Sequence, residues 1–210
     1  MKIGLTGNIR MSILFCMVRT RTFDPGTALS QAVDLFSAKG YSETSMEDLV
    51  RATGVSRYGL YGTFGNKREL FEQALEKYAD SMGRQAFLRL LEPDASLQHI
   101  RAIFEERIED ICCGEIGKGC LFIHTAMELA PQDEELKGVL HKFMRRMSKA
   151  FSVGLESAKE RGEVCEGLDI RAAADLLTST TFGIVVLGRT GFPKEALLGI
   201  VDSTLGAMAA

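Results

Sequence analysis

Apolar residues recur along this chain at intervals of three and four positions, and nowhere does a sustained run of β-branched residues alternate with polar ones, so the pattern predicts an all-α protein of about nine helices. Asp24 followed by Pro25 marks a helix start, Ala28, Ala32, Leu35 and Phe36 follow at helical spacing, and Lys39 with Gly40 supplies the stop. The run Thr44-Ser45-Met46-Glu47 fits a capping box. In it the Thr44 hydroxyl accepts from the backbone three residues on and Glu47 reaches back, opening a short second helix over about residues 45–53. Gly54 turns the chain and Ser56 caps a third short helix over about 57–64. From Lys67 a long amphipathic helix carries Leu70, Phe71, Ala74, Leu75 and Tyr78 and continues toward Leu91, ahead of Pro93. Five more helices are expected at about 95–113, 119–130, 133–161, 169–189 and 194–208.

Two short helices joined by a glycine turn form a helix-turn-helix. The chain therefore divides into a basic leader at residues 1–22, a three-helix unit carrying this motif at 23–68, and a larger helical part at 69–210. At 46% hydrophobic and 25% charged residues the composition is that of a globular protein, and the net charge of −3 means that any nucleic-acid surface must be local. The longest run without Asp, Glu, Lys or Arg, residues 176–188, has 13 residues, short of the ~18 that a membrane span needs. The apolar run at 11–18 is followed by no small-residue cleavage pattern. A cytoplasmic protein with no membrane partner is expected. Five cysteines without zinc-ribbon or CxxC spacing predict reduced thiols, no metal centre and no cofactor.

The local charge does appear where the motif lies. Between Leu49 and Leu70 the one acid is Glu69, against Arg51, Arg57, Lys67 and Arg68. A helix starting at Ser56 presents Arg57, Tyr58, Gly59, Tyr61, Gly62 and Thr63 in its first two turns, the part of a recognition helix that meets base edges in a major groove. Thr44, Ser45 and Lys67, at two other helix starts, are placed to contact phosphates.

The stretch from Thr44 to Phe71, TSMEDLVRATGVSRYGLYGTFGNKRELF, resembles the tetracycline-repressor (TetR) type of transcriptional regulator. A threonine-led helix, an Ala-x-Gly-Val-Ser turn, a Leu-Tyr-x-x-Phe recognition helix and an x-x-Lys-x-x-Leu start of the fourth helix occur in that order, carried here by Thr44, Ala52, Gly54, Val55, Ser56, Leu60, Tyr61, Phe64, Lys67, Leu70 and Phe71. Gly59 and Gly62 stand where that family commonly has larger residues. The resemblance implies a homodimeric repressor that leaves a palindromic double-stranded operator when a small effector binds inside the C-terminal helices. It also implies that the last two helices pair with their copies in the second subunit, making residues 69–210 an effector-binding and dimerisation domain.

The sequence supports the pairing separately, because residues 172–188 carry the single charge Asp175 and need cover on more than one side. For the effector, Phe87, Phe104, Ile108 and Phe122 are candidate lining residues, as are Met127, Phe143, Met147, Phe151 and Phe182, with His124 and Glu128 as polar handles. Nine methionines and twelve phenylalanines suit an apolar or aromatic compound. Cys120, His124 and Glu128 recur at intervals of four, which makes Cys120 a candidate redox site. The competing readings are a small-molecule or redox-sensing binding protein, or a thiol enzyme, without specific DNA binding. Against an enzyme, the chain lacks a phosphate loop, a nucleophile elbow and an HExxH motif.

Overall fold

A computed structural model of the chain describes residues 23–114 and 119–210, with the side chains of residues 82–86 excepted. The basic leader, 1–22, lies outside the described residues. Among the described residues there are nine α-helices and no strand. They are α1 (Pro25–Lys39), α2 (Met46–Thr53), α3 (Arg57–Phe64), α4 (Lys67–Leu88), α5 (Leu97–Cys112), α6 (Leu121–Glu128), α7 (Glu134–Glu160), α8 (Ile170–Arg189) and α9 (Lys194–Gly206). A single turn of 3₁₀-helix, Arg89–Leu91, continues α4 to the end expected for it.

Capping chemistry sets the N-terminal boundaries. Asp24 accepts from the Thr27 backbone N–H at 2.7 Å, Ser56 from Gly59 at 3.1 Å, and Asn66 from both Arg68 and Glu69, whose carboxylate returns to the Asn66 N–H at 2.7 Å. The second helix begins one residue later than the sequence suggests. Ser45, not Thr44, is its cap, in a reciprocal box with Asp48, while Thr44 is fully buried and its hydroxyl donates to the Gly40 carbonyl at 2.6 Å. Glu47, freed from the expected box, pairs with Arg57 at 2.9 Å and ties α2 to α3.

Asp48 is the most heavily stabilised carboxylate of this unit. It accepts the Ser45 backbone N–H at 3.1 Å and hydroxyl at 2.9 Å, and meets Lys39 at 3.3 Å and Arg51 beside it. The Ser45 bonds, helped by the two cations, hold its pKa far below the ordinary value of 3.8. A depressed folded-state pKa means that the contribution is fully present above the unfolded value and fades as pH falls below it. Asp48→Asn is expected to be less stable than the wild type at pH 7, with the gap closing below about pH 3.8; paired denaturant titrations at the two pH values check this.

α1 lies on α4 through a cluster of rings. Phe36 meets Phe71 edge-on at 5.1 Å, and Tyr41 meets the same ring at 5.0 Å. α4 then leaves the N-terminal unit and enters the C-terminal bundle, where Phe104 stacks on Phe151 at 5.9 Å and Phe122 on Phe143 at 4.0 Å. The chain end is pinned by Cys165 N–H to the Met208 carbonyl and Ala210 N–H to the Glu163 carbonyl, both 3.0 Å. One helix among the described residues, Ile170–Arg189, is by length and composition long and apolar enough to cross a membrane. It packs instead on α5, α7 and α9 through residues such as Ala174, Leu177 and Ile184, leaving Leu176 and Val186 about half exposed.

Candidate nucleic-acid interface and effector cavity

α3 is anchored from below and exposed above. Leu60 and Phe64 are buried, four residues apart on the inner face, and the outer face presents Arg57, Tyr58, Tyr61 and Gly62. Tyr58 is 73% exposed and Tyr61 43%, large values for aromatic rings. The Arg57 guanidinium lies 6.0 Å from the Tyr61 ring centroid, held between that ring and Glu47. Thr63 is half-buried beside them.

The two glycines of α3 differ in kind. A Cβ on Gly59 would meet Val55 Cγ1 at 2.9 Å, with Phe23 also in contact, so Gly59 serves the packing of α3 on the turn. A Cβ on Gly62 would meet nothing within 4 Å. Gly62→Ala is therefore expected to stabilise the free protein by up to about 1 kcal/mol through helix propensity, measured by thermal melting. Its effect on operator binding reports separately how closely the backbone approaches DNA.

Of the expected phosphate contacts, Thr44 is withdrawn by its burial. Ser45 is exposed, but its hydroxyl is already engaged as a cap, as is that of the exposed Ser56 at the start of α3, leaving the backbone at these helix starts as the donor surface. Lys67 has its ammonium 4.2 Å from the Tyr41 ring centroid; burial lowers its pKa and the charge of Glu128 opposes that shift.

Glu128 belongs to a joint between the two parts of the chain. Its carboxylate accepts the Tyr41 and Ser42 backbone N–H groups, each at 3.1 Å, in the turn that follows α1. His124 lies 3.2 Å from the same carboxylate and 3.1 Å from Arg189 at the end of α8. Arg68 adds a second link, to Asp133 at 2.5 Å. The expected role of His124 and Glu128 as handles inside a cavity is thus corrected: on α6 the bundle side is taken by Leu121, Phe122 and Thr125, and positions 124 and 128 face the N-terminal unit. Met127 is 77% exposed, outside the two cavities described below. No local sequence signal identifies Tyr41 as the partner of this joint.

A cavity of about 290 Å³ opens in the C-terminal bundle between α4, α5, α7 and α8. Its wall includes Phe87, Phe104, Met147 and Phe151, as expected. Phe143 lines a neighbouring cavity of about 500 Å³, and Phe122 stands behind the wall, stacked on Phe143 and 5.3 Å from the Tyr78 ring. Ile108 is buried core, and Phe182 is half-buried against it; neither lines the cavity. The reading of the sequence missed Tyr78, Ser81, Ile103, Arg107 and Thr181. Tyr78 and Ile103 sit in ordinary amphipathic patterns, which reveal the inward face and not where the packing stops.

Cys120 is 2% exposed and precedes α6 in an extended conformation, so it does not share a helix face with His124 and Glu128. Its thiol is hydrogen-bonded with the Tyr78 hydroxyl, and burial followed by Cys120 pushes that phenol well above its ordinary pKa. A thiol so covered is poorly placed to meet oxidants. Among the described residues no group of three or more His, Cys, Asp and Glu side chains comes together as a metal site.

Comparison with known proteins agrees with this geometry. Residues 28–74 match the family described as bacterial regulatory proteins, tetR family, and residues 96–196 match the tetracyclin repressor-like C-terminal domain. The chain is 32% identical over 193 residues to the uncharacterized HTH-type transcriptional regulator YezE of Bacillus subtilis (strain 168), covering 91% of this chain and 100% of YezE. It is 28% identical to the HTH-type transcriptional repressor ComR of Escherichia coli (strain K12), covering 89% of this chain and 90% of ComR. Among solved structures, a cysteine mutant of the TetR family transcriptional regulator CifR, complexed with 26-base-pair operator DNA, superposes with a TM-score of 0.78 at 28% identity. That match covers 90% of this chain and 99% of the CifR chain. With a helix-turn-helix whose outer face is exposed and aromatic, a helical bundle with a cavity, and relatives that match along nearly its whole length, the chain belongs to the TetR family of DNA-binding transcriptional regulators.

Proposed function

We propose that this regulator is a homodimeric repressor that holds a palindromic operator through α3 and leaves it when a small molecule occupies the C-terminal cavity. The observation that carries this reading is α4. It begins at Lys67 beside the DNA-facing unit and reaches the cavity wall at Phe87, so one helix touches both sites. α6 gives a parallel route, from Phe122 behind the cavity wall to Glu128 on the turn after α1. Tyr58, Tyr61, Arg57 and Gly62 read base edges, and Lys67 with the starts of α2 and α3 positions the protein on phosphates. CifR on its operator supports the mode of docking. α8 and α9 pair with their copies, because α8 keeps Leu176 and Val186 on a half-exposed apolar face. Two recognition helices roughly 34–36 Å apart then meet successive major grooves of a palindrome.

Release by an effector requires that the ligand bind the operator-competent and released states with different affinity. The test is selection of bound fragments from a genomic library, with titration of the best fragment at two salt concentrations, because phosphate contacts alone give binding that falls steeply with salt on every sequence. An enriched palindrome bound as a dimer, by sedimentation, supports the reading; weak binding that is equal on all fragments removes it. Glu128→Gln weakens the charge-assisted bonds to Tyr41 and Ser42 while leaving the cavity intact. It is expected to keep effector affinity but to blunt effector-driven release, measured as the operator affinity ratio with and without ligand.

A further inference from the structure

The cavity in the bundle continues past its inner wall. Phe87 and Met147 line both the inner chamber of about 290 Å³ and an outer one of about 500 Å³ that opens between α4 and α7. Together they have the size of a small-molecule site, ~300–1,000 Å³. The two chambers differ in charge. In the inner one Glu106 is engaged by Arg89, and Arg107 and Asp110 bring opposite signs from adjacent turns of α5. At the outer mouth Arg146 and Lys149 stand on the exposed edge of α7 with no ion pair among the described residues, while Asp80 opposite them has an interaction of its own. Leu88 and Leu91, on the same rim, are 55% and 54% exposed. An apolar floor, a deep continuation and an unbalanced positive mouth are the complement of an amphiphile with an anionic end.

We propose that this two-chambered cavity binds a long-chain aliphatic carboxylate, its tail passing Phe87 and Met147 into the inner chamber and its carboxylate lying between Arg146 and Lys149. Met147, unbranched and flexible, yields to a chain threading the constriction. Each methylene taken from water strengthens binding about fourfold, which an extended chain accumulates and a compact polar ligand does not. The proposal rests on the cavity being the effector site and adds the class of effector.

The chain contains no tryptophan, so the uncharged fluorophore N-phenylnaphthylamine can report on the cavity without interference. Dodecanoate and dodecanol, equal in chain length and different in charge, compete for it. Dodecanoate is expected to displace the fluorophore at about a tenfold lower concentration than dodecanol. The double variant Arg146→Ala, Lys149→Ala is expected to lose that preference, with dodecanol affinity and ligand-free operator affinity unchanged. Equal displacement by the two in the wild type, or a preference that survives in the variant, overturns the carboxylate. If displacement under those conditions still releases operator, the cavity remains the effector site and the class alone fails. If the fluorophore enters and leaves with no change in operator binding, the effector reading fails as well. No uptake of the fluorophore and no heat of dodecanoate binding by calorimetry overturns both.

Discussion

Replacing Tyr58 and Tyr61 together by alanine is expected to abolish discrimination between operator and random DNA while leaving the fold and ligand binding intact. The two rings are the large apolar groups most exposed on α3, 73% and 43%, and neither belongs to the core that holds the helix, which is Leu60 and Phe64. Their removal therefore takes away contact surface without opening a void. A side chain that reads a base edge contributes about 1–3 kcal/mol of discrimination, so the pair accounts for a loss of specific affinity on the order of a hundredfold or more. Tyr61→Ala carries a further cost, because its ring also holds the Arg57 guanidinium, which in its absence is left to Glu47 alone. Fluorescence anisotropy on the selected operator and on a scrambled fragment, at one stated salt concentration, measures both affinities. Retained discrimination in the double variant would move the reading surface away from α3. An equal fall on both fragments would make the tyrosines phosphate contacts instead.

Phe122→Ala is expected to be the most destabilising single change among the residues considered, by about 3–5 kcal/mol. The side chain is fully buried, stacks on Phe143 at 4.0 Å and leans on Tyr78 at 5.3 Å, so it supports both chambers from behind. Truncation leaves a void that the neighbouring rings cannot fill without abandoning the chambers they line. Against a total stability of about 5–15 kcal/mol this is a large fraction, and for a chain of this length it corresponds to a fall in melting temperature of roughly 6–20 °C. Phe122→Leu keeps most of the volume and is expected to cost less than half as much. Calorimetric melting of the three proteins decides the matter: a fall of less than about 1 kcal/mol for the alanine variant would mean that the wall relaxes around it. Because α6 also carries Glu128, the alanine variant is expected to lose coupling to the operator as well as stability.

The helix-turn-helix was largely legible from residue order because its determinants are local. Asp24, Ser56 and Gly54 act within four residues of themselves, as caps or as a left-handed turn with φ +65°, and no distant contact is needed to place them. The family resemblance is concentrated in the same stretch for the same reason. Where two local solutions compete, residue order does not decide. Thr44 and Ser45 are adjacent hydroxyls, each followed three residues on by an acid, and the choice between them came from burial: Thr44 is drawn under the turn after α1, which leaves Ser45 to cap and Glu47 to find Arg57. The long apolar helices were equally legible, since a periodic stripe identifies an inward face wherever it packs.

The direction of α6 and the extent of the cavity were decided by tertiary structure. A spacing of four places His124 and Glu128 on one face but does not say what that face meets, and here it meets the N-terminal turn. Gly59 reads in sequence as a bare position on a recognition helix; only the approach of Val55 and Phe23 makes it a packing residue, while Gly62, three residues on, is open. Sequence by itself thus determined the helices, the caps of α1, α3 and α4 and the family motif, all set by interactions within one or two turns. The fold decided which charges join the two units and where core packing gives way to a chamber, because these depend on contacts between separate helices, such as Glu128 with Tyr41 at a separation of 87, and the burial of Thr44 under the turn after α1 decided which hydroxyl caps.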